Sequence, residues 1–184
     1  MRLRVGVAMA PKGGRTGLVV SEVLERRTSL MKREYSYIVG HVDRITPPTV
    51  EEAADRVVAL VRNIADEKPC VMVDTTSPQG VALRVALNER MPADLHKAHA
   101  MEGAGIYKDL FSGFLQTYSA SRVAFEPGLD YRGELDRSLV FYMGGGVAKH
   151  GFEITSEDEA LVVALGLALF WPRHGGKARI LDYD

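Results

Sequence analysis

Apolar and polar positions alternate from the start of the chain. In the segment RLRVGVAM, residues 2–9, the large apolar side chains fall on one face of an extended backbone, which predicts a β-strand. Residues 16–25 and 35–45 are rich in β-branched and aromatic residues and predict two further strands. The first 45 residues therefore predict a three-stranded meander. The apolar residues on the shared face of the first strand are Leu3, Val5, Val7 and Met9.

A helix, a strand and a second helix are predicted next. Thr49 and Glu52 have the spacing of a capping box, which marks a helix start, and apolar residues follow at helical spacing. The run CVMVD, residues 70–74, is short and continuously apolar, as in a strand buried on both faces. Ser77 precedes Pro78 and predicts the cap of a second helix, which continues to about residue 90. The apolar positions of the first helix are Ala53, Val57, Leu60, Val61 and Ile64.

The second half of the chain has weaker patterns. It predicts a strand near 96–101, a helix over 107–120 and an extended piece over 122–128. Residues 130–142 predict a helix that can pass into a strand, and the glycine-rich residues 143–151 predict either a mobile loop or the tip of a hairpin. A last, strongly apolar helix begins at Thr155 or Ser156 and ends before Pro172. We find no internal linker, so the order of elements predicts one α/β domain over residues 1–184, with a mixed sheet flanked by helices.

Composition adds little except at the N-terminus. The net charge of −1 implies no overall attraction to nucleic acid or membrane, yet residues 1–34 carry eight Lys or Arg against three Asp or Glu. These charges form either a solvated hairpin or a surface for a polyanion. The single cysteine, Cys70, lies in an apolar run and predicts a buried, inert thiol. Without a signal peptide or an apolar run of more than 12 residues, the chain is expected to be cytoplasmic.

Acidic residues are the main candidates for chemistry. The basic loop PKGGRTG, residues 11–17, does not fit the Walker A spacing and leads into a strand, so it does not predict a phosphate cradle. Asp74 ends a central strand, where it can hold Mg²⁺ or Mn²⁺ or cap its own turn. Glu157, Asp158 and Glu159 open the last helix, where they can complete a metal site with Asp74 or simply match the helix dipole.

The order of these motifs resembles the C-terminal nuclease domain of phage and prophage terminase large subunits, which has a ribonuclease H-like fold. The resemblance covers about residues 3–171, leaving a polar tail over 172–184. It rests on VGVAMAPKGGRTGLVVSE, YIVGHVDRI, VMVDTTSPQGVALRVAL, YKDLFSGFLQ, RVAFEPGLDYRGELDRSLVFY and EALVVALGLALFW, in this order. It implies a nuclease that cuts DNA with two divalent metal ions held by clustered carboxylates.

Several acids of that pattern are missing from this chain. Asp74 matches the acid of the middle strand, and Glu159 matches the first acid of the last helix. Asp158 is adjacent and is a candidate substitute. The resemblance therefore implies Asp74, Glu159 and Asp158 as catalytic residues if the protein is active, with Asp74 and Glu159 as ligands for Mg²⁺ or Mn²⁺. The positions that have lost an acid are Ala8, Gly14 and Ala160.

In the family, the acid at the position of Ala8 usually bridges both metals, so the resemblance implies a catalytically impaired protein, that is, a pseudoenzyme. It also implies a stand-alone protein of phage or prophage origin that is related to DNA packaging. We expect it to act as a DNA-binding or protein-interaction module, with double-stranded DNA or packaging proteins as partners. Lys12, Arg15 and Lys149 are the expected DNA contacts. Two alternatives stay open, namely an active Mg²⁺- or Mn²⁺-dependent endonuclease and a structural protein that binds no nucleic acid.

Overall fold

The computed structural model describes residues 2–10, 15–28, 33–46, 49–64, 68–93, 95, 97–101, 106–129, 133 and 157–169. Six strands and four helices lie in these ranges, close to the predicted positions. The predictions for 130–142 and 143–151 fall outside the described residues, apart from Gly133. The elements are β1 (Arg2–Met9), β2 (Thr16–Arg27), β3 (Arg33–Ile45), α1 (Val50–Asn63), β4 (Cys70–Asp74), α2 (Pro78–Arg90), β5 (His99–Met101), α3 (Ile106–Ser119), β6 (Val123–Phe125) and α4 (Glu157–Leu169).

The six strands form one mixed sheet in the order β5-β4-β1-β2-β3-β6. Strands β1, β2 and β3 pair antiparallel, which confirms the predicted meander. Strand β4 pairs parallel with β1 and with β5, and β6 pairs parallel with β3. Strand β2 is therefore antiparallel to the other five described strands. As a result, β1, β3 and β4 end at one edge of the sheet, where β2 begins.

The predicted starts of α1 and α2 are confirmed by their caps, whereas Thr155 and Ser156, predicted to begin the last helix, lie outside the described residues. The Thr49 hydroxyl accepts a hydrogen bond from the Glu52 backbone N–H at 3.1 Å, and α1 begins at the next residue. The Ser77 hydroxyl accepts one from the Gly80 N–H at 3.1 Å, with Pro at the start of α2. Each side-chain oxygen satisfies a backbone donor that the first turn of a helix leaves without a partner.

Helices cover both faces of the sheet. Residues of α1 and α2 pack with Val5, Val7 and Met9 of β1 in one apolar core. Residues of α3 and α4 pack with Ala8 and Ala10 in a second core on the opposite face. Side chains of β1 therefore alternate between the two faces of the sheet, as predicted. The face opposite Val5, Val7 and Met9 is buried as well, because α4 packs on it. Among the described residues, no helix is long and apolar enough to cross a membrane.

Helix α4 lies so close to the sheet that small residues form the contact. A Cβ atom on Gly17 would stand 2.7 Å from the carbonyl oxygen of Ala160, and the Ser21 hydroxyl donates a hydrogen bond to the carbonyl oxygen of Ala168. These two contacts are four residues apart in β2 and eight residues apart in α4, and both spacings correspond to about 12–14 Å. Helix α4 therefore runs along β2 in the same direction. Its first turn therefore lies at the edge where β1, β3 and β4 end.

Candidate functional site

Ala8 and Asp74 lie side by side at this edge. Val7 of β1 pairs with Val73 of β4, so the next positions of the two parallel strands are Ala8 and Asp74. Ala8 is fully buried in the core beneath α4, and Met72, two residues before Asp74, packs against the same core. Since side chains alternate along a strand, Asp74 faces α4 as Ala8 does. The structure thus brings together Asp74 and Ala8, the two strand positions that the resemblance implies for one acidic site.

Asp74 is held by the turn that follows it. Its side chain is only 2% exposed, and its Oδ1 atom accepts hydrogen bonds from the Thr76 backbone N–H at 3.0 Å and from the Thr76 hydroxyl at 2.7 Å. These contacts are those of an aspartate that caps its own turn, which was one of the two predicted roles. The backbone of Gly80 packs closely against the other side of this turn. A Cβ atom at Gly80 would collide with the Asp74 carbonyl oxygen.

The first turn of α4 packs on β2, in the row of the sheet that contains Ala8. Gly17 pairs with Ala8, and a Cβ atom on Gly17 would stand 2.7 Å from both the Ala160 carbonyl oxygen and the Leu161 Cα. Ala160 is fully buried in this contact. The backbone of Glu157, Asp158 and Glu159 precedes it in the helix, and the side chains of these three acids lie outside the described residues.

The basic side chains of the N-terminal segment that the structure describes lie at different ends of the sheet. Arg4 is 7% exposed and lies beneath α4 at the opposite end of β1, opposite Ser21. Arg26 and Arg27 are exposed at the far end of β2. Arg15 is the described basic residue at the Asp74 edge; it is half-buried, and its carbonyl accepts from Ala10 N–H. The other predicted DNA contacts, Lys12 and Lys149, and the predicted lost-acid position Gly14 lie outside the described residues.

Arg44 is not among the predicted site residues, yet the register of the sheet places it in the same row. It pairs with Gly17, which pairs with Ala8, so the row across four strands reads Asp74, Ala8, Gly17, Arg44. Arg44 is half-buried, and its Nε atom is inaccessible to solvent. The alternation of side chains in HVDRI, residues 41–45, indicates the face of the sheet on which Arg44 lies. Its neighbours on the other strands follow only from the order in which the strands pair.

Among the residues described, no group of three or more His, Cys, Asp and Glu is placed to hold a metal ion. Cys70 stands on β4, four residues before Asp74, and is half-buried rather than fully buried. Burial raises the pKa of its thiol, an effect that the nearby Arg4 charge partly offsets. A raised pKa disfavours the reactive thiolate, and the inert role of Cys70 stays a prediction.

No protein-family model and no curated protein matches the sequence. Solved structures do match. The nuclease domain of the g2p large terminase from bacteriophage SPP1, with bound Mn, superposes with a TM-score of 0.56 at 11% identity, covering 91% of this chain and 85% of that one. The human cytomegalovirus terminase nuclease domain, Mn-soaked and inhibitor-bound, superposes with a TM-score of 0.55 at 11% identity, covering 91% and 80%. The chain thus has the ribonuclease H-like fold of terminase nuclease domains, as its motifs predict.

Proposed function

We propose that this chain is a terminase-nuclease-like module that binds DNA without cutting it. The observation that carries the proposal is the fully buried methyl group of Ala8 beside Asp74. A carboxylate at this point of the first strand would be one strand away from Asp74 and close to the first turn of α4. With alanine there, the centre of the site has no ligand that could bridge two ions.

The residues present do not fit a pair of metal ions. Two-metal cleavage needs ions about 3.5–4 Å apart, each held by several oxygen ligands. On the sheet, Asp74 is the acid of this row, and its Oδ1 atom already accepts two hydrogen bonds from Thr76. Of the other acids that the resemblance implies, only Glu159 and Asp158 of α4 remain to supply carboxylates. These acids fit at most one weakly held Mg²⁺ or Mn²⁺, so we derive no cleavage step from it.

Arg15, the described member of the surface proposed for DNA, stands at the same edge of the sheet, two residues before Gly17. Lys12 is the second proposed contact and lies between β1 and β2 in sequence. Lys149 is the third proposed contact. Cations of this kind bind the phosphate backbone without reading sequence, and each phosphate neutralised makes the affinity depend more steeply on salt. Salt-sensitive binding with little sequence preference is the expected behaviour.

Two assays test the proposal. In the first, supercoiled plasmid is incubated with the protein and Mn²⁺ or Mg²⁺, and we expect no nicking above that of an Asp74→Ala variant. Nicking by the parent protein that disappears in Asp74→Ala would overturn the proposal and establish the alternative, an active metal-dependent endonuclease.

In the second assay, fluorescence anisotropy measures affinity for a DNA duplex across a salt series. We expect a Lys12→Ala/Arg15→Ala variant to lower the slope of log affinity against log salt by about 2, since each lost phosphate contact removes about 0.9. Arg26→Ala/Arg27→Ala is the matched control, because these exposed arginines lie at the far end of β2. Equal binding by parent and Lys12/Arg15 variants would refute these contacts, and no binding by either would favour a protein-interaction role.

A further inference from the structure

We propose that the outward face of α2 binds the same face of a second copy of this chain, with the two helices antiparallel. The inference concerns the side of the sheet that carries α1 and α2, and it does not depend on whether the protein binds or cuts DNA. The residues of this face are exposed and follow the spacing of one helical stripe. They are Pro78, Val81, Ala82 and Val85, which we call the α2 stripe.

The α2 stripe is apolar although it is exposed. Val81 is 48% and Val85 is 53% exposed, and with Leu24 they are the exposed large hydrophobic residues of the described part of the chain. The two valines are four positions apart on one helix, so their side chains adjoin. Helix α1, which packs beside α2, has an exposed face that is mostly charged, as in a helix that faces water. The exposed charged residues of α1 are Glu51, Glu52, Asp55, Arg56 and Arg62.

Charge complementarity favours a second copy in the antiparallel orientation. In a two-fold packing centred on Leu83, Val81 of each copy lies level with Val85 of the other. Glu89 and the N-cap Ser77 are both six positions from Leu83, which is about 9 Å along the helix. The exposed Glu89 of each copy therefore lies beside the N-terminal turn of the other α2. That turn carries a partial positive charge, and its sequence PQGV contains no acid.

Neither the arginine nearest the centre of the stripe nor the net charge opposes this contact. Arg84 is half-buried, and its Nε atom donates a hydrogen bond to the carbonyl oxygen of Ala98, which precedes β5, at 3.1 Å. This contact directs the side chain toward β5 and away from the stripe. The chain has a net charge of only −1, so two copies repel each other little.

The size of the stripe predicts weak association. Stable interfaces bury about 1,200 Å² or more in total, and one pair of 13-residue helices buries less than this. We therefore expect a dissociation constant on the order of 100 μM.

The test is sedimentation equilibrium of the full chain without DNA, from about 10 μM to about 1 mM protein. We expect the average mass to rise from that of one chain toward that of two. Val85→Glu should weaken the dimer at least tenfold, because the new carboxylate would lose water against Val81 of the second copy. Ala59→Glu is the matched control, since it adds the same charge to the exposed face of α1, and it should behave as the parent protein does.

Glu89→Gln tests the orientation of the two helices. It removes both carboxylates that lie beside helix N-termini in the dimer, so we expect dimerisation to weaken about fivefold. Circular dichroism checks folding, and Val85→Ser is a second polar variant if Val85→Glu does not fold.

A single-chain mass at every concentration would overturn the proposal and leave the α2 stripe to a partner other than this chain. An equal loss of dimer in Ala59→Glu and Val85→Glu would also refute it, because net charge alone would then explain the effect. Unchanged dimerisation in Glu89→Gln would contradict the antiparallel arrangement.

Discussion

Replacement of Gly17 by alanine should destabilise the protein more than an ordinary surface change, because the space for a methyl group is taken by helix backbone. The new Cβ atom would stand 2.7 Å from the Ala160 carbonyl oxygen, 2.7 Å from the Leu161 Cα and 2.8 Å from the Ala160 carbonyl carbon. Ordinary contact begins at 3.4 Å, so strand and helix must separate by about 0.7 Å. No side-chain rotation can relieve this overlap.

The magnitude follows from the cost of overpacking, which is about 1–3 kcal/mol in a well-packed core. We expect the upper end, because the atoms that must move belong to the backbone of a helix that is fully buried from Ala160 to Leu169. A loss of about 3 kcal/mol lowers the Tm by roughly 6–12 °C in a chain of this length. Thermal and urea unfolding, followed by circular dichroism, measure both quantities.

Gly113→Ala is the matched control, and the opposite sign is expected. Gly113 lies within α3, and a Cβ atom there meets no atom of the described residues within 4 Å. Alanine should therefore stabilise the helix by about 0.5–1 kcal/mol through the lower entropy of the unfolded chain. If Gly17→Ala proves as stable as the parent protein within 0.5 kcal/mol, the close approach of α4 to β2 at the proposed site is refuted.

Three further outcomes follow from the described contacts. Thr16→Val should raise the free energy of unfolding in urea by about 1 kcal/mol, because the buried Thr16 hydroxyl has no hydrogen-bond partner among the described residues; a decrease would contradict this. Ser77→Ala should lower that free energy by about 1 kcal/mol by removing the cap of α2, while Ser77→Asp should retain it. Cys70 should react with iodoacetamide more slowly than glutathione at pH 8, since burial raises the pKa of its thiol; equal rates would refute this.

The local elements could be predicted because their signals are local. Thr49 and Ser77 cap helices through contacts with residues only three positions away. Alternation in β1 indicates which residues share a face, and it does so without knowledge of the rest of the fold. The resemblance of the motif series then gave the fold class, which the solved structures confirm.

The site itself depends on distant parts of the chain, so the sequence predicted it only through that resemblance. Ala8 and Asp74 are neighbours because β4 inserts next to β1, 66 positions away in sequence. Arg44 shares their row because it pairs with Gly17. That pairing depends on a β-bulge between Val20 and Ser21, which shifts the register of β2 against β3. Burial of β1 on both faces likewise requires α4, which comes more than 140 residues later. Periodicity carries no information on such pairings.

The small side chain at position 8 and the close packing of α4 form one feature of the molecule. Beside Ala8, a Cβ atom on Gly6 would collide with the Ala164 carbonyl oxygen, and one on Gly17 would overlap the first turn of the helix. A carboxylate at position 8 would enter a fully buried position beneath this helix, where an unpaired charge costs several kcal/mol. An acid at position 8 would therefore require a wider gap between α4 and the sheet. We infer that Ala8→Asp alone would destabilise the fold.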